Sequence, residues 1–386
     1  MRLISNRLYF DYNATSPLAD SVKEFVLKGD FLFGNPSSSH TTGRQADAVV
    51  RQARQKILQI FELNEADYKL FFHSGATEGA NTVIKGYAKH KKISFFYAGT
   101  DHSIMSGIAE ELASEGHAVE VFHPDRHGQL LVESLIEKIN LKKAQGYFPL
   151  LNFTCVNNET GVVWPLSFAM QIKKETGAVI HVDAVQLPGK MDNWHKLLAG
   201  LDAYTFSAHK FGGLKSVGLT IYKKDFSFAP LLQGGGQEDG LRAGTVNVLG
   251  IYAAELALTS LRKLFDANSL QTAKNYIEQN LTGILGERGE VIGYHSPYRN
   301  LNTITFLIYG KRADSLMPAF DLSGMDVSFG SACQAGQVRP NKVLLSMGYS
   351  EQQSLSPIRL SFSPFMKLEE AKFFFKEIES VISRFL

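Results

Sequence analysis

Short apolar runs alternate with amphipathic stretches through the first two thirds of the chain. Runs at 70–73, 93–97, 119–122, 150–156, 179–182, 203–206 and 217–222 read as strands, and segments such as 43–61 and 103–114 carry helical spacing. This alternation predicts an α/β fold: a mainly parallel sheet with helices on both faces. Ligands of such sheets bind beyond the carboxyl ends of the strands, and the polar residues of interest here fall just after strands. The pattern changes near residue 250. Helical spacing over 250–265 and 270–285 is followed by a strand at 303–308, a helix at 313–322 and a glycine-rich stretch at 328–336. A strand at 358–362 and a helix at 368–385 complete the series. We therefore expect a smaller α+β domain built from 1–14 and 253–386 beside a large domain spanning 15–252.

At 386 residues the chain is too long for one simple core. Its net charge of +2 gives no electrostatic reason to expect nucleic acid or an anionic membrane as partner. No apolar run is long enough to span a bilayer, and the first ten residues lack the features of a signal peptide, so a cytoplasmic location is expected. Two cysteines, Cys155 and Cys333, make neither a disulfide framework nor a metal-ligand cluster. No metal is expected. Cys155 lies mid-strand among apolar neighbours and reads as a packing residue. Cys333 sits in a small, polar, glycine-rich setting instead.

The candidate chemistry centres on Lys210, which ends the strand-like run Tyr204-Thr-Phe-Ser-Ala-His-Lys210. A desolvated lysine loses its proton easily and can form a Schiff base with an aldehyde cofactor, commonly pyridoxal phosphate; most lysines, however, simply face water. Asp183 follows the strand at 179–182 and is either a cap or the partner of a pyridinium nitrogen, with Gln186 within reach of the ring's phenolic oxygen. The turn Ser74-Gly75-Ala76-Thr77 between a strand and a helix start suits a phosphate, though glycine turns are common. His102 follows another strand and is either structural or a stacking group and proton shuttle. Asn158 follows a fourth and is a candidate for the cofactor or a carboxylate.

These segments, in order, resemble the NifS-like cysteine desulfurases of the class V aminotransferase family, fold-type I pyridoxal-phosphate enzymes. The resemblance runs from Asp11-Tyr-Asn-Ala-Thr-Ser-Pro17 through Gly34-Asn-Pro36, Ser74-Gly-Ala-Thr-Glu78, Asn157-Asn-Glu159, His181-Val-Asp183 and Ser207-Ala-His-Lys210. It continues through Arg242-Ala-Gly-Thr245 to Gly330-Ser-Ala-Cys333 and Ile358-Arg359. It implies that Lys210 carries the cofactor, Asp183 pairs with the ring nitrogen and His102 stacks on the ring. Ala76, Thr77, Ser207 and His209 would hold the phosphate, with Gln186 and Asn158 also at the cofactor. Thr245 would reach the phosphate of a neighbouring subunit, so a homodimer is expected. Arg359 would bind the carboxylate of L-cysteine, with Asn158 and Asn35 beside it. Cys333 would take the sulfur as a persulfide and pass it to an acceptor or scaffold protein, leaving alanine.

The chain departs from the pattern in places. Gln334-Ala-Gly336 follows Cys333 where a Thr-Ser-Ala-like run is usual, and Leu360-Ser-Phe-Ser-Pro364 follows Arg359 where a glycine-arginine pair is usual. The loop after Cys333 resembles the long-loop group, and ending at Leu386 the chain lacks the longer tail some members use to dock an iron–sulfur scaffold. A selenocysteine lyase, another class V transaminase or a non-catalytic scaffold subunit are the alternatives; a transaminase has no need of Cys333, and a dead subunit has no need of the whole set.

Overall fold

The computed structural model describes residues 7–29, 31, 33–329, 333–334 and 337–386, with 333–334 and 337–338 by backbone. In chain order the strands are β1 (Leu8–Tyr9), β2 (Tyr68–His73), β3 (Ile93–Ala98), β4 (Ala118–Phe122), β5 (Phe148–Thr154), β6 (Val179–Asp183) and β7 (Ala203–Ser207). They continue with β8 (Gly218–Lys223), β9 (Gly289–Val291), β10 (Thr303–Ile308), β11 (Met325–Asp326), β12 (Cys333–Gln334), β13 (Gln337–Val338) and β14 (Ile358–Ser361). A seven-stranded sheet has the order β2-β8-β7-β6-β5-β3-β4. Only β8 runs antiparallel to its neighbours in it. The α/β expectation therefore holds. Strands β5 and β7 are buried almost throughout, which is why they read as continuous apolar runs rather than alternating ones. β4, at the edge, is only partly buried.

Polar side chains inside these strands satisfy one another. Asn152 Oδ1 lies 2.8 Å from His181 Nδ1, His181 Nε2 2.8 Å from Thr205 Oγ1, Thr205 Oγ1 2.9 Å from Thr220 Oγ1, and Thr220 Oγ1 3.0 Å from His73 Nε2. The row crosses five strands of the sheet. Burial favours the neutral imidazoles, lowering His181 to about 3 and His73 to about 4.

The second sheet has the order β14-β10-β9 and is covered by helices Ala267–Leu285 and Leu368–Ile382. Its core, with Ile304, Phe306, Leu360, Phe374 and Ile378, takes in Leu8 and Phe10 from the start of the chain. Helix Val248–Leu264 packs residues Val248 to Leu261 into the large core, so the division expected at 253 falls inside that helix. Because β1 pairs with β11 and Asp11 bridges Ser361, while Ser16 hydrogen-bonds His209 and Lys210 just after β7, the segment after β1 runs from the small core to the rim of the large sheet.

Candidate active site

Lys210 ends a 3₁₀ turn, Ala208–Lys210, directly after β7. Its Nζ donates to the carbonyls of Asn13 and Ala14, each at 2.8 Å. Ser16 clamps the same turn, its N–H donating to His209 O at 2.8 Å and its hydroxyl to Lys210 O at 2.9 Å. His209 Nδ1 lies 3.1 Å from Thr15 Oγ1. The half-buried amine is desolvated, and with the nearby Arg359 charge this lowers Lys210 from 10.5 to about 8, against the pull of Asp11 and Asp183.

Asp183 closes β6, and its Oδ1 accepts from Val185 N at 3.0 Å. Burial raises its proton affinity, opposed by the charges of His102 and Lys210. His102 caps helix Ser103–Ser114, its Nδ1 accepting from Ile104 N at 3.3 Å, and is otherwise exposed. The turn that carries it is pinned by Asp101, whose Oδ2 accepts from Ala98 N at 3.0 Å and from Asn152 Nδ2 at 2.8 Å. Burial pushes this carboxyl up to about 7. Gln186 is buried, with its Nε2 donating to Asn13 O at 3.0 Å and its Oε1 accepting from the buried Lys190.

The phosphate candidates gather where β2 leads into helix Ala76–Ala88. Among the described residues no side chain caps this helix start, so the N–H groups of its first turn point outward with the positive dipole end. Thr77 is exposed there, and a Cβ built on Gly75 would lie 3.9 Å from the buried Ser207 hydroxyl. Glu78 braces the turn, accepting from Ser74 N at 2.8 Å and from Arg242 Nε at 3.0 Å. Thr245 is exposed and lines a cleft of about 160 Å³ with His73, Ser74, Arg242 and Gly244.

Arg359, on β14, reaches this rim from the small sheet. Its Nη2 donates to Asp11 Oδ1 at 2.6 Å and its Nη1 to the Asn158 carbonyl at 3.0 Å, while the buried Nε meets no acceptor among the described residues. Asn158 thus acts here through its backbone, which also accepts from Asn13 Nδ2 at 2.9 Å. The turn after it needs glycine: Gly161 has φ 73°, and a Cβ there would sit 2.7 Å from Asn300 Oδ1. Asn35 lies apart, in an exposed turn where its Oδ1 accepts from Ser37 N at 3.0 Å; no hydrogen bond joins it to Arg359.

The Gly330–Ala332 part of the cysteine motif and the Cys333 thiol lie outside the described residues. The backbone of Cys333 pairs with Val338 in the β12–β13 ribbon. Ser328 bridges Arg359 through both backbone groups, at 2.7 and 3.1 Å, so Cys333 is tethered five residues from the Arg359 strand, a reach of at most about 18 Å. On the far side Asn341 hydrogen-bonds Glu159. Cys155 sits one residue beyond β5 rather than within it, buried, with Sγ 3.4 Å from Asp183 O. Burial and the Asp183 charge push its thiol far up, which leaves it inert.

A family model described as "Aminotransferase class-V" matches residues 8–374. The chain belongs to this class-V aminotransferase family. It is 32% identical over 390 residues to "Putative cysteine desulfurase IscS 1" of Bacillus subtilis (strain 168), covering 98% of this chain and 99% of that protein. It is 32% identical over 372 residues to "Cysteine desulfurase" of Cereibacter sphaeroides, covering 92% and 91%. A solved "NIFS-LIKE PROTEIN" superposes with a TM-score of 0.84 at 30% identity, covering 98% of this chain and all of that one.

Class-V members are pyridoxal-phosphate enzymes, and the residues of this class-V chain fit that group. They supply a desolvated lysine at a strand end, a carboxylate at the next strand end and, among the described residues, an uncapped helix start beside a buried hydroxyl and an unsatisfied guanidinium N–H. Sequence reasoning overlooked Asp11, Asn13, Asp101 and Lys190 as parts of this site. The motif Asp11-Tyr-Asn-Ala-Thr was the available signal for the first two.

Proposed function

We propose that this chain is a pyridoxal-phosphate-dependent cysteine desulfurase, releasing L-alanine from L-cysteine and keeping the sulfur as a persulfide on Cys333. The observation that supports it most is the convergence of Lys210, Asp183 and Arg359 at one rim, three groups carried by different elements. When bound, pyridoxal phosphate withdraws electrons from the substrate α-carbon and weakens the neighbouring Cβ–S bond.

The protein's own groups do the rest. Lys210 would hold the cofactor and, as a free amine, take the α-proton; a proton affinity near 8 suits a base working close to neutrality. Asp183 would pair with the ring nitrogen and Gln186 would serve the phenolic oxygen. The helix start at Ala76 and Thr77, with Ser207 and His209, takes the phosphate. Arg359 binds the substrate carboxylate through its spare Nε, steadied by the Asn158 carbonyl on Nη1, while Asn35 stands apart from it. His102 would face the cofactor ring and pass a proton to the substrate sulfur.

The Cys333 thiolate then attacks that sulfur. An S–S bond forms, the Cβ–S bond breaks, and its electron pair stays on carbon, which is protonated to alanine. The same reading carries a homodimer in which Thr245 serves the neighbouring subunit, a cytoplasmic setting, and delivery of sulfur to an acceptor such as an iron–sulfur scaffold. Borohydride reduction of the cofactor-loaded protein followed by peptide mass spectrometry tests the reading. Cofactor fixed to Lys210 is expected; cofactor fixed to another lysine, or none fixed, contradicts it.

A further inference from the structure

We infer that Asp11 is a positioning residue for substrate, a resident anion that holds one arm of the Arg359 guanidinium and competes there with the incoming carboxylate. The inference rests on the reading of Arg359 as the carboxylate site. The backbone around Asp11 is fixed to the arginine's own strand: Asp11 bridges Ser361, Ser361 N donates to Phe10 O at 2.7 Å, and Tyr12 N donates to Ser361 O at 3.3 Å. The carboxylate is thereby delivered to Nη2 at 2.6 Å.

The remaining geometry separates a fixed arm from an open one. The Asn158 carbonyl holds Nη1 at 3.0 Å, Asp11 holds Nη2, and Nε is buried without an acceptor among the described residues. A buried N–H without a partner is costly, so this guanidinium is built to receive one more acceptor. The Arg359 side chain is 7% exposed but that of Asp11 is 24% exposed, which puts Asp11 on the side from which a ligand arrives. Its charge also acts on Lys210 and on the buried Lys190. A ligand carboxylate therefore enters a cluster of cations that Asp11 already partly neutralises.

The test uses 3-mercaptopropionate, which has the carboxylate and thiol of cysteine but no amine to react with the cofactor, and its uncharged methyl ester. Binding is followed by calorimetry to the full-length protein, cofactor-loaded and cofactor-free, as wild type and as Asp11→Asn. Removing one like charge at this range is expected to tighten the acid about tenfold while leaving the ester unchanged, with folding checked by thermal melting. Acid binding that is equal or weaker in Asp11→Asn, with wild type still preferring acid to ester, overturns the inference and leaves the carboxylate site standing. Equal binding of acid and ester to wild type removes both. Should Asp11→Asn fail to fold, Asp11→Ser, with its smaller hydroxyl acceptor, carries the same expectation.

Discussion

Lys210 has the role most open to a physical test. In the cofactor-free protein its ammonium is desolvated and faces Arg359, so its proton affinity falls from 10.5 to about 8. That drop corresponds to about 3 kcal/mol against the charged form. At pH 7.5 about a quarter of the Lys210 amines are neutral, against about a thousandth for an ordinary lysine. A brief pulse of acetic anhydride across pH 6 to 10, read by peptide mass spectrometry, should label Lys210 along a curve with its midpoint near 8, once accessibility is corrected with a small neutral reagent. An ordinary water-facing lysine follows a midpoint of about 10. The sign in stability follows: a lysine with a depressed folded value opposes folding below about 8, and this penalty fades as the pH rises through 8 to 10.5. Arg359→Met should move the midpoint up, because one lowering charge is gone. Labelling of Lys210 in step with surface lysines would refute the reasoning.

Three further predictions follow from the same geometry. Asp101 ionises near 3.8 when unfolded and near 7 when folded, so the folded state binds the extra proton between these values and stability falls as pH rises from about 4 to 7. Asp101→Asn should flatten that slope in urea unfolding curves at pH 5 and 8; an unchanged slope counts against it. Arg359→Lys keeps the charge but loses the planar fork, and KM for L-cysteine should rise about 10- to 100-fold with a smaller change in kcat; unchanged KM would speak against the carboxylate role. Asn341 accepts from Val343 N at 2.9 Å and Leu344 N at 3.1 Å and hydrogen-bonds Glu159. Asn341→Ala should cost about 1–2 kcal/mol of stability and slow persulfide formation on Cys333; full stability and rate would dissociate that anchor from function.

The sheet and most helices were legible because burial on both faces writes long apolar runs. The strand at Thr303–Ile308 and the helices Ser103–Ser114 and Ala313–Leu322 appear as expected, and other bounds move by a few residues. Short strands such as β1, β9 and β11 carry too few residues to show a period, and pair only because distant segments meet. The site was legible to the same degree. Lys210, Asp183 and His102 stand at strand ends or helix starts, positions that sequence marks. Asp11 and Asn13 act across 348 and 197 residues, on Arg359 and Lys210, and no local pattern announces such pairs. Asn152, His181 and Thr205 sat inside runs read as apolar, where their mutual hydrogen bonds make burial tolerable.

The central claim is sulfur capture by Cys333 in a lysine-bound cofactor site. Alanine and sulfide release from L-cysteine with a thiol reductant, measured for wild type and Cys333→Ser side by side, tests it most directly. The account predicts turnover in wild type and its collapse in the variant, with both proteins holding the cofactor at Lys210. Equal release from both would make the thiol a bystander and contradict desulfuration through Cys333.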